Sequence, residues 1–220
     1  MKLLLYLIAP LTFASHLHAQ PPGVENIIRQ TCEKAGRENK NAFIIFHASW
    51  CVWCHRLDSS INDPSCAKFF RDHFVIEHIT AFEIGEKEKL NSPGWKQFLT
   101  AHHLIHQGIP AWFIFDKDGK LLADSQKRPA GAGLDTEGSN IGCPANGQEV
   151  DYFIGILKKV GPVPAEDEQS IRSRFLKNNA HFEYPLNTRQ LNAIVDAFSQ
   201  SIFQMLCNSL HGGVGTKFSK

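Results

Sequence analysis

The sequence lacks an excess of charge of either sign. Among its 220 residues, 23 Lys and Arg stand against 22 Asp and Glu, and charged residues make up only 20% of the chain. No basic run is interleaved with aromatic residues, which excludes a protein that binds nucleic acid mainly by electrostatic attraction. Polybasic segments that would attract a membrane surface are missing as well. The charge pattern therefore indicates neither a nucleic-acid partner nor a lipid surface.

Long apolar runs are missing too. A short apolar run stands near the N-terminus. Lys2 precedes an apolar stretch from Leu3 to Phe13, and Ala19 closes the segment that follows. The stretch has about half of the roughly 20 residues that a membrane-spanning helix needs. This order is typical of a secretory signal peptide, here residues 1–19, cut after Ala19. We therefore expect a soluble periplasmic or secreted protein without a membrane span, in an oxidising compartment.

Apolar residues are abundant, at 43% of the chain with 16 Phe, which is enough for a substantial core. Apolar residues rich enough for strands occupy residues 42–46 and 111–115, and shorter apolar stretches within 74–79 and 120–124 predict two more strands. Helical spacing of apolar residues is found at 24–38, 51–61, 65–72, 94–104 and 148–159. Strands that alternate with helices predict an α/β domain over residues 24–160, with a candidate functional loop at 126–147. Helical patterns at 166–177 and 187–210 predict a helical C-terminal extension, residues 161–220.

Cys51 and Cys54 stand between the first buried strand and a helix. The unpaired N–H groups and the macrodipole of a helix N-terminus stabilise an anion and can lower a thiol pKa from about 8.5 to roughly 3.5–7.5. Cys51 is therefore predicted to be the thiolate nucleophile. Cys54 lies one turn further on, partly covered, where it can attack a mixed disulfide, and it is predicted to be the resolving thiol. Such a pair can carry two electrons.

Three separated features resemble the thioredoxin superfamily. They are the apolar strand before the cysteine pair, the Ile109-Pro110 sequence that opens a later strand, and the motif Trp50-Cys51-Val52-Trp53-Cys54. With further motifs at 55–57, 62–64, 91–94 and 140–144, the chain is similar to secreted bacterial thioredoxin-like proteins with a Trp-Cys-x-Trp-Cys-His active site. The resemblance implies a thioredoxin-like fold, with a central mixed sheet flanked by helices, and a thiol–disulfide oxidoreductase that needs no organic cofactor. The C-terminal periplasmic domain of a disulfide-reducing membrane transporter is a less close resemblance.

The resemblance also implies substrate-binding residues and partners. In this superfamily the proline at position 110 is cis and faces the active-site sulfurs, and the residue before it, here Ile109, contacts the substrate. Trp50 and Trp53 are expected to frame an apolar rim for an extended peptide, with packing at the helix start as the alternative. The implied partners are disulfide-containing protein substrates and a membrane thiol-reducing transporter as electron donor. Trp-Cys-x-x-Cys resembles thioredoxin more than the strong oxidants, which favours a reductase over an oxidase.

Position 45 departs from the thioredoxin pattern. Thioredoxins usually carry a buried Asp six residues before the first cysteine, which relays protons to the resolving thiol, whereas this chain has Ile45. Proton transfer must then involve other groups. His47, on the same strand face, and His55, directly after Cys54, are the nearest candidates for a proton relay, and a structural role is the alternative for each.

Four further cysteines, at positions 32, 66, 143 and 207, have no assigned partner. The sequence does not determine how six cysteines pair. Cys32 and Cys207 are predicted to be free buried thiols, because both lie on apolar helix stripes. A bridge between Cys66 and Cys143 is a further hypothesis.

Two rival functions use the same motif. Cys51-x-x-Cys54-His55 is also the attachment signature of c-type haem. Haem attachment, however, requires neither the preceding strand nor the later Ile109-Pro110. A thioredoxin-fold binding module without turnover is the other alternative, although a pure binder has no need for two intact cysteines.

A metal site is not predicted. Closed zinc sites usually draw their ligands from two separated pairs, which does not describe the cluster His47, Cys51, Cys54 and His55. His102 and His106 have the spacing of a metal-binding pair on a helix, but the Glu of a zinc-protease motif is absent. A solvated helix end is the preferred interpretation of this pair.

Overall fold

The computed structural model describes residues 21–180, with side chains for residues 21–179. The predicted signal peptide, the predicted helix 187–210 and Cys207 lie outside the described residues. The helices and strands are α1 (Val24–Glu38), β1 (Asn41–His47), α2 (Val52–Ile61), α3 (Ala67–His73), β2 (Phe74–Thr80), α4 (Trp95–Ala101), β3 (Ala111–Phe115), β4 (Leu121–Asp124), β5 (Gln126–Lys127), β6 (Ser139–Asn140), α5 (Gly147–Val160) and α6 (Ala165–Ala180). A 3-10 helix over Gly85–Leu90 precedes α4.

The main sheet has four strands in the order β2-β1-β3-β4. β1 and β2 are parallel, whereas β3 is antiparallel to β1, and β4 is antiparallel to β3. The apolar run Ala42 to Phe46 lies in the central strand β1 and is entirely buried, as a strand covered on both faces requires. The predicted thioredoxin-like fold, with a mixed sheet flanked by helices, is confirmed.

The alternation of side chains along β1 divides the core into two layers. Phe43 and Ile45 face a layer that also contains buried residues of α2, α3, α5 and α6. Ile44 and Phe46 face the other layer, which contains buried residues of α1 and α4. Helix α2, which begins directly after Cys51, is thereby held against the sheet by Leu57.

Helix ends follow local sequence signals in two places and depart from them in a third. α1 ends at Glu38 and is followed by its C-cap residue Asn39, which adopts a left-handed φ of 53°. α5 begins with a capping box formed by Asn146 and Glu149. α4 ends at Ala101 and His103 has a φ of 58°, so the predicted helix 94–104 is too long. His102 and His106 are therefore not paired on one helix face.

The first helix of the predicted extension packs against the same core as the α/β domain. Ile171 and Phe175 of α6 are fully buried, and the Phe175 ring lies 5.1 Å from that of Phe153 in α5. Arg174 also forms an ion pair with Asp63, with 2.8 Å between Nε and Oδ2. Within residues 21–180, no helix is both long and apolar enough to cross a membrane.

Candidate active site

Cys51 and Cys54 form a disulfide at the start of α2. Cys51 is the N-cap residue of the helix, and its sulfur accepts the backbone N–H of Cys54, with 3.1 Å between N and Sγ. The sulfur therefore occupies the end of the helix where N–H groups stabilise a thiolate once the disulfide is opened. Cys51 is 4% exposed and Cys54 1% exposed, so Cys51 is the more accessible of the two.

The Ile109–Pro110 peptide bond is cis, as the resemblance implied. The carbonyl oxygen of Ile109 lies 3.6 Å from Cys51 Sγ, and the Ile109 side chain packs against the two cysteines. An apolar depression of about 460 Å³ surrounds this point, lined by Trp50, Cys51, Val52, Trp53, Phe82, Gly108 and Ile109. A peptide that reaches the sulfur therefore meets mostly apolar side chains.

The two tryptophans have different surroundings. Trp50 is 54% exposed, and its indole N–H donates to the Phe82 carbonyl at 2.9 Å. Trp53 is partly buried against the core, and the Arg56 guanidinium lies 4.6 Å from the centre of its ring. Trp50 is therefore exposed at the rim, whereas Trp53 combines contact with the depression and packing at the helix start.

The predicted loop 126–147 reaches the edge formed by residues 108–110, which contains the cis-proline. The Asn140 side-chain amide donates to the carbonyls of Gly108 at 3.0 Å and Pro110 at 3.2 Å. A second cavity of about 370 Å³ lies there, and its lining includes Pro110, Asn140 and Glu149. This loop therefore helps to hold the cis-proline edge in place, a contact that sequence reasoning did not assign.

His47 lies at the end of β1 and contacts His78, with 4.9 Å between the ring centres. His78 is in turn paired with Asp58 of α2, with 2.8 Å between Nε2 and Oδ1. Burial lowers the pKa of His47, and the neighbouring His78 lowers it further. His55 has a different partner, because its Nε2 lies 3.0 Å from the Ser49 carbonyl oxygen. Ile45, at the position of the relay Asp in thioredoxins, is fully buried in the core.

Sequence reasoning missed a buried carboxylate beside the active-site loop. Glu83 follows β2, is only 5% exposed, and accepts hydrogen bonds from both the backbone N–H and the hydroxyl of Ser49. No spacing or motif connects these two positions, which lie 34 residues apart. Only the adjacent placement of β1 and β2 in the sheet brings them together.

Cys32, Cys66 and Cys143 are free and buried. The prediction for Cys32 is confirmed, whereas the hypothesis of a Cys66–Cys143 bridge is wrong. Cys66 Sγ donates to the Ser60 carbonyl at 2.9 Å, and Cys143 Sγ accepts from the Asn178 amide at 3.4 Å. Each thiol is thus satisfied without the other, and burial raises the pKa of Cys143 to about 12.

The rival interpretations fit the geometry less well. The Cys51–Cys54 disulfide lies beside the cis Ile109–Pro110 bond, an arrangement that a redox pair uses and that haem attachment does not require. Among residues 21–179, no group of three or more His, Cys, Asp and Glu side chains is arranged to hold a metal ion. His102 is half-buried against Phe98 and Phe113, whereas His106 is exposed, so the prediction of a solvated pair is correct for His106 and wrong for His102.

Comparison with known proteins identifies the kind of domain over part of the chain. Residues 28–126 match the family model of the Thioredoxin-like domain. No curated protein has a significant match to the chain. Among solved structures, the chain is similar to a disulphide isomerase from Xylella fastidiosa Temecula1, with 20% identity and a TM-score of 0.39 over 77% of this chain and 98% of that one.

A second similar structure is the C-terminal domain of DsbD from Neisseria meningitidis in the oxidised form, with 16% identity and a TM-score of 0.37 over 65% of this chain and 100% of that one. These identities and TM-scores are low, so the assignment rests on the family match and on the geometry of the cysteine pair. The match spans the sheet from β1 to β4 together with both cysteines. Residues 28–126 therefore form a thioredoxin-like domain, whose cysteine pair is that of a thiol–disulfide oxidoreductase.

Proposed function

We propose that this protein is a periplasmic or secreted thiol–disulfide oxidoreductase that reduces disulfide bonds of protein substrates. The observation that carries the proposal is the Cys51–Cys54 disulfide at the N-terminus of α2, with Cys51 Sγ 3.6 Å from the Ile109 carbonyl oxygen. A redox-active pair and a backbone edge for an extended substrate thus lie side by side.

The reaction transfers two electrons from the cysteine pair to the substrate. In the reduced protein, the Cys51 thiolate attacks one sulfur of the substrate disulfide, so that a mixed disulfide forms and the other substrate sulfur leaves as a thiolate that takes up a proton. Cys54 then loses its proton and attacks the Cys51 sulfur. The Cys51–Cys54 disulfide forms again, and the second substrate sulfur leaves as a thiol. Oxidation of a substrate is the reverse sequence.

The substrate would lie along the Ile109–Pro110 edge, with Trp50 and Trp53 on the other side of the sulfur. The apolar lining of the depression around Cys51 favours substrate cystines that are flanked by apolar residues. Trp50, which is 54% exposed, would supply most of the apolar contact area.

His47 is the stronger candidate for the proton relay. The pKa of His47 is lowered by burial, so its ring is neutral near pH 7 and able to accept a proton. The contacts from Asp58 of α2 through His78 of β2 to His47 of β1 form a line of polar groups. His55 would act differently, by orienting the Ser49 carbonyl at the start of the active-site loop.

Sustained reduction requires an electron donor, for which we propose a membrane thiol-reducing transporter. Export through the signal peptide of residues 1–19 would place the protein in the compartment where disulfides persist. No organic cofactor is needed, because the thiols themselves carry the electrons.

A redox titration in thiol buffers tests the proposed function. Trp50 and Trp53 fluorescence would report the state of the pair, and the mass shift after alkylation would confirm it, with Cys51→Ser as the control. A two-electron midpoint near about −270 mV is expected for a reductase, whereas one near about −120 mV would make the protein an oxidant. A pair that does not cycle at all would overturn the proposal in favour of a binding module.

A further inference from the structure

A buried acidic side chain contacts the loop that carries the nucleophile. Glu83 Oε1 accepts the backbone N–H of Ser49 at 2.5 Å, and Oε2 accepts the Ser49 hydroxyl at 3.0 Å. Both carboxylate oxygens act as acceptors, which is the pattern of an ionised carboxylate. Ser49 lies two residues before Cys51, so the carboxylate is bonded directly to the backbone of the active-site loop.

Ser49 is held by two further side chains. Lys87 Nζ donates to the Ser49 hydroxyl oxygen at 2.9 Å, and His55 Nε2 lies 3.0 Å from the Ser49 carbonyl oxygen. The hydroxyl therefore stands between an anion and a cation, and every polar group of Ser49 has a partner.

The backbone of Glu83 is fixed as well. The Asn91 side-chain oxygen accepts the Glu83 N–H at 2.9 Å, and its amide donates to the Glu83 carbonyl at 3.0 Å. One residue earlier, the Phe82 carbonyl accepts the indole N–H of Trp50. Asn91 belongs to a sequence motif, residues 91–94, that the cysteine chemistry alone does not explain. Its role here is to hold Glu83 against the active-site loop.

We propose that Glu83 is a positioning residue of the active site, which holds the loop of Cys51 through Ser49 and places a fixed negative charge that disfavours the Cys51 thiolate. The inference rests on the proposed function, because it explains how the same cysteine pair is tuned. A destabilised thiolate makes the reduced pair less stable relative to the disulfide, which is the direction that a reductant requires.

Other charges around the active-site loop either stabilise or destabilise the Cys51 thiolate. Lys87 opposes Glu83, since a cation favours the thiolate. The 108–110 edge contributes no ionisable group. The ionisable residues of β1 and α2 are His47, Cys54, His55, Arg56 and Asp58, and His47 interacts electrostatically with Glu83.

The test measures the midpoint pH of Cys51 alkylation by iodoacetamide, followed by peptide mass spectrometry, in full-length protein carrying Cys54→Ser. Glu83→Gln keeps the size of the side chain and removes its charge, and it should lower this midpoint by about 0.5 to 1 pH unit. Lys87→Met removes the opposing charge and should raise the midpoint. Lys89→Met, an exposed residue of the same 3-10 helix, is the matched control and should leave the midpoint unchanged.

Opposite shifts from Glu83→Gln and Lys87→Met separate an electrostatic role from a merely structural one, because lost packing would not change sign. If neither variant moves the midpoint, or both move it in the same direction, the proposal fails. Should Glu83→Gln not fold, as judged by thermal melting, Ser49→Ala replaces it, because it removes the hydroxyl that bonds the carboxylate to the loop, and an unchanged Cys51 midpoint in that variant overturns the proposal. Failure of the proposed function would appear elsewhere, as a wild-type pair that does not cycle in the redox titration.

Discussion

Burial should make the three free thiols in the described residues unreactive. Burial raises the pKa of Cys143 to about 12 and also raises the pKa of Cys32 and of Cys66. At pH 8 the thiolate fraction of Cys143 is then on the order of 10⁻⁴. We expect native, reduced protein treated with iodoacetamide at pH 8 to be labelled at Cys51 and not at these three residues. Peptide mapping would contradict this if Cys143 were labelled as fast in native as in denatured protein.

A second residue-scale prediction concerns His47 and stability at acidic pH. Because the pKa of His47 is lowered from its usual 6.5, the unfolded chain binds a proton there more readily than the folded one. The contribution to stability is therefore complete above pH 6.5 and is lost as pH falls below it. Urea unfolding gives the free energy of unfolding at pH 5.5 and at pH 7.5. The difference between these two free energies should be smaller in His47→Gln than in the wild type. His106→Gln, at an exposed position, should keep the wild-type difference, and equal differences in all three proteins would contradict the prediction.

At the scale of elements, α6 contributes to the core of the thioredoxin-like domain. Phe175 is fully buried, whereas the next residue, Leu176, is 39% exposed. Phe175→Ala should lower the free energy of unfolding by about 3–5 kcal/mol, and Leu176→Ala by less than about 1 kcal/mol. Urea unfolding followed by fluorescence measures both. If the two variants lose the same small amount of stability, α6 is an appendage rather than part of the core.

At the scale of the whole molecule, the prediction concerns export. Expressed in a bacterium with a periplasm, the full chain should be recovered from the periplasmic fraction with the intact mass of a protein lacking residues 1–19. Leu7→Arg interrupts the apolar stretch and should leave the precursor uncut in the cytoplasm. A wild-type protein that keeps Met1 and stays in the cytoplasm would contradict the expected localisation.

The sequence by itself determined the order of the elements and the place of the cysteine pair. Strand and helix positions follow from the spacing of apolar residues over a few turns, which is why the runs at 42–46 and 111–115 were found with little error. The position of Cys51 at a helix start also follows from neighbouring residues. The end of α4 was missed because His103 adopts a left-handed conformation that nothing in its local sequence demands.

Only the tertiary structure decided what surrounds these groups. Glu83 meets Ser49, and Asn178 meets Cys143, across 34 and 35 residues of chain respectively. The same packing gives Cys66 and Cys143 separate partners, so that no bridge forms. Such contacts depend on which elements become neighbours when the two layers pack on the sheet. The spacing of apolar residues does not determine that arrangement. Periodicity specifies which face of an element is buried, and not which residues pack against it.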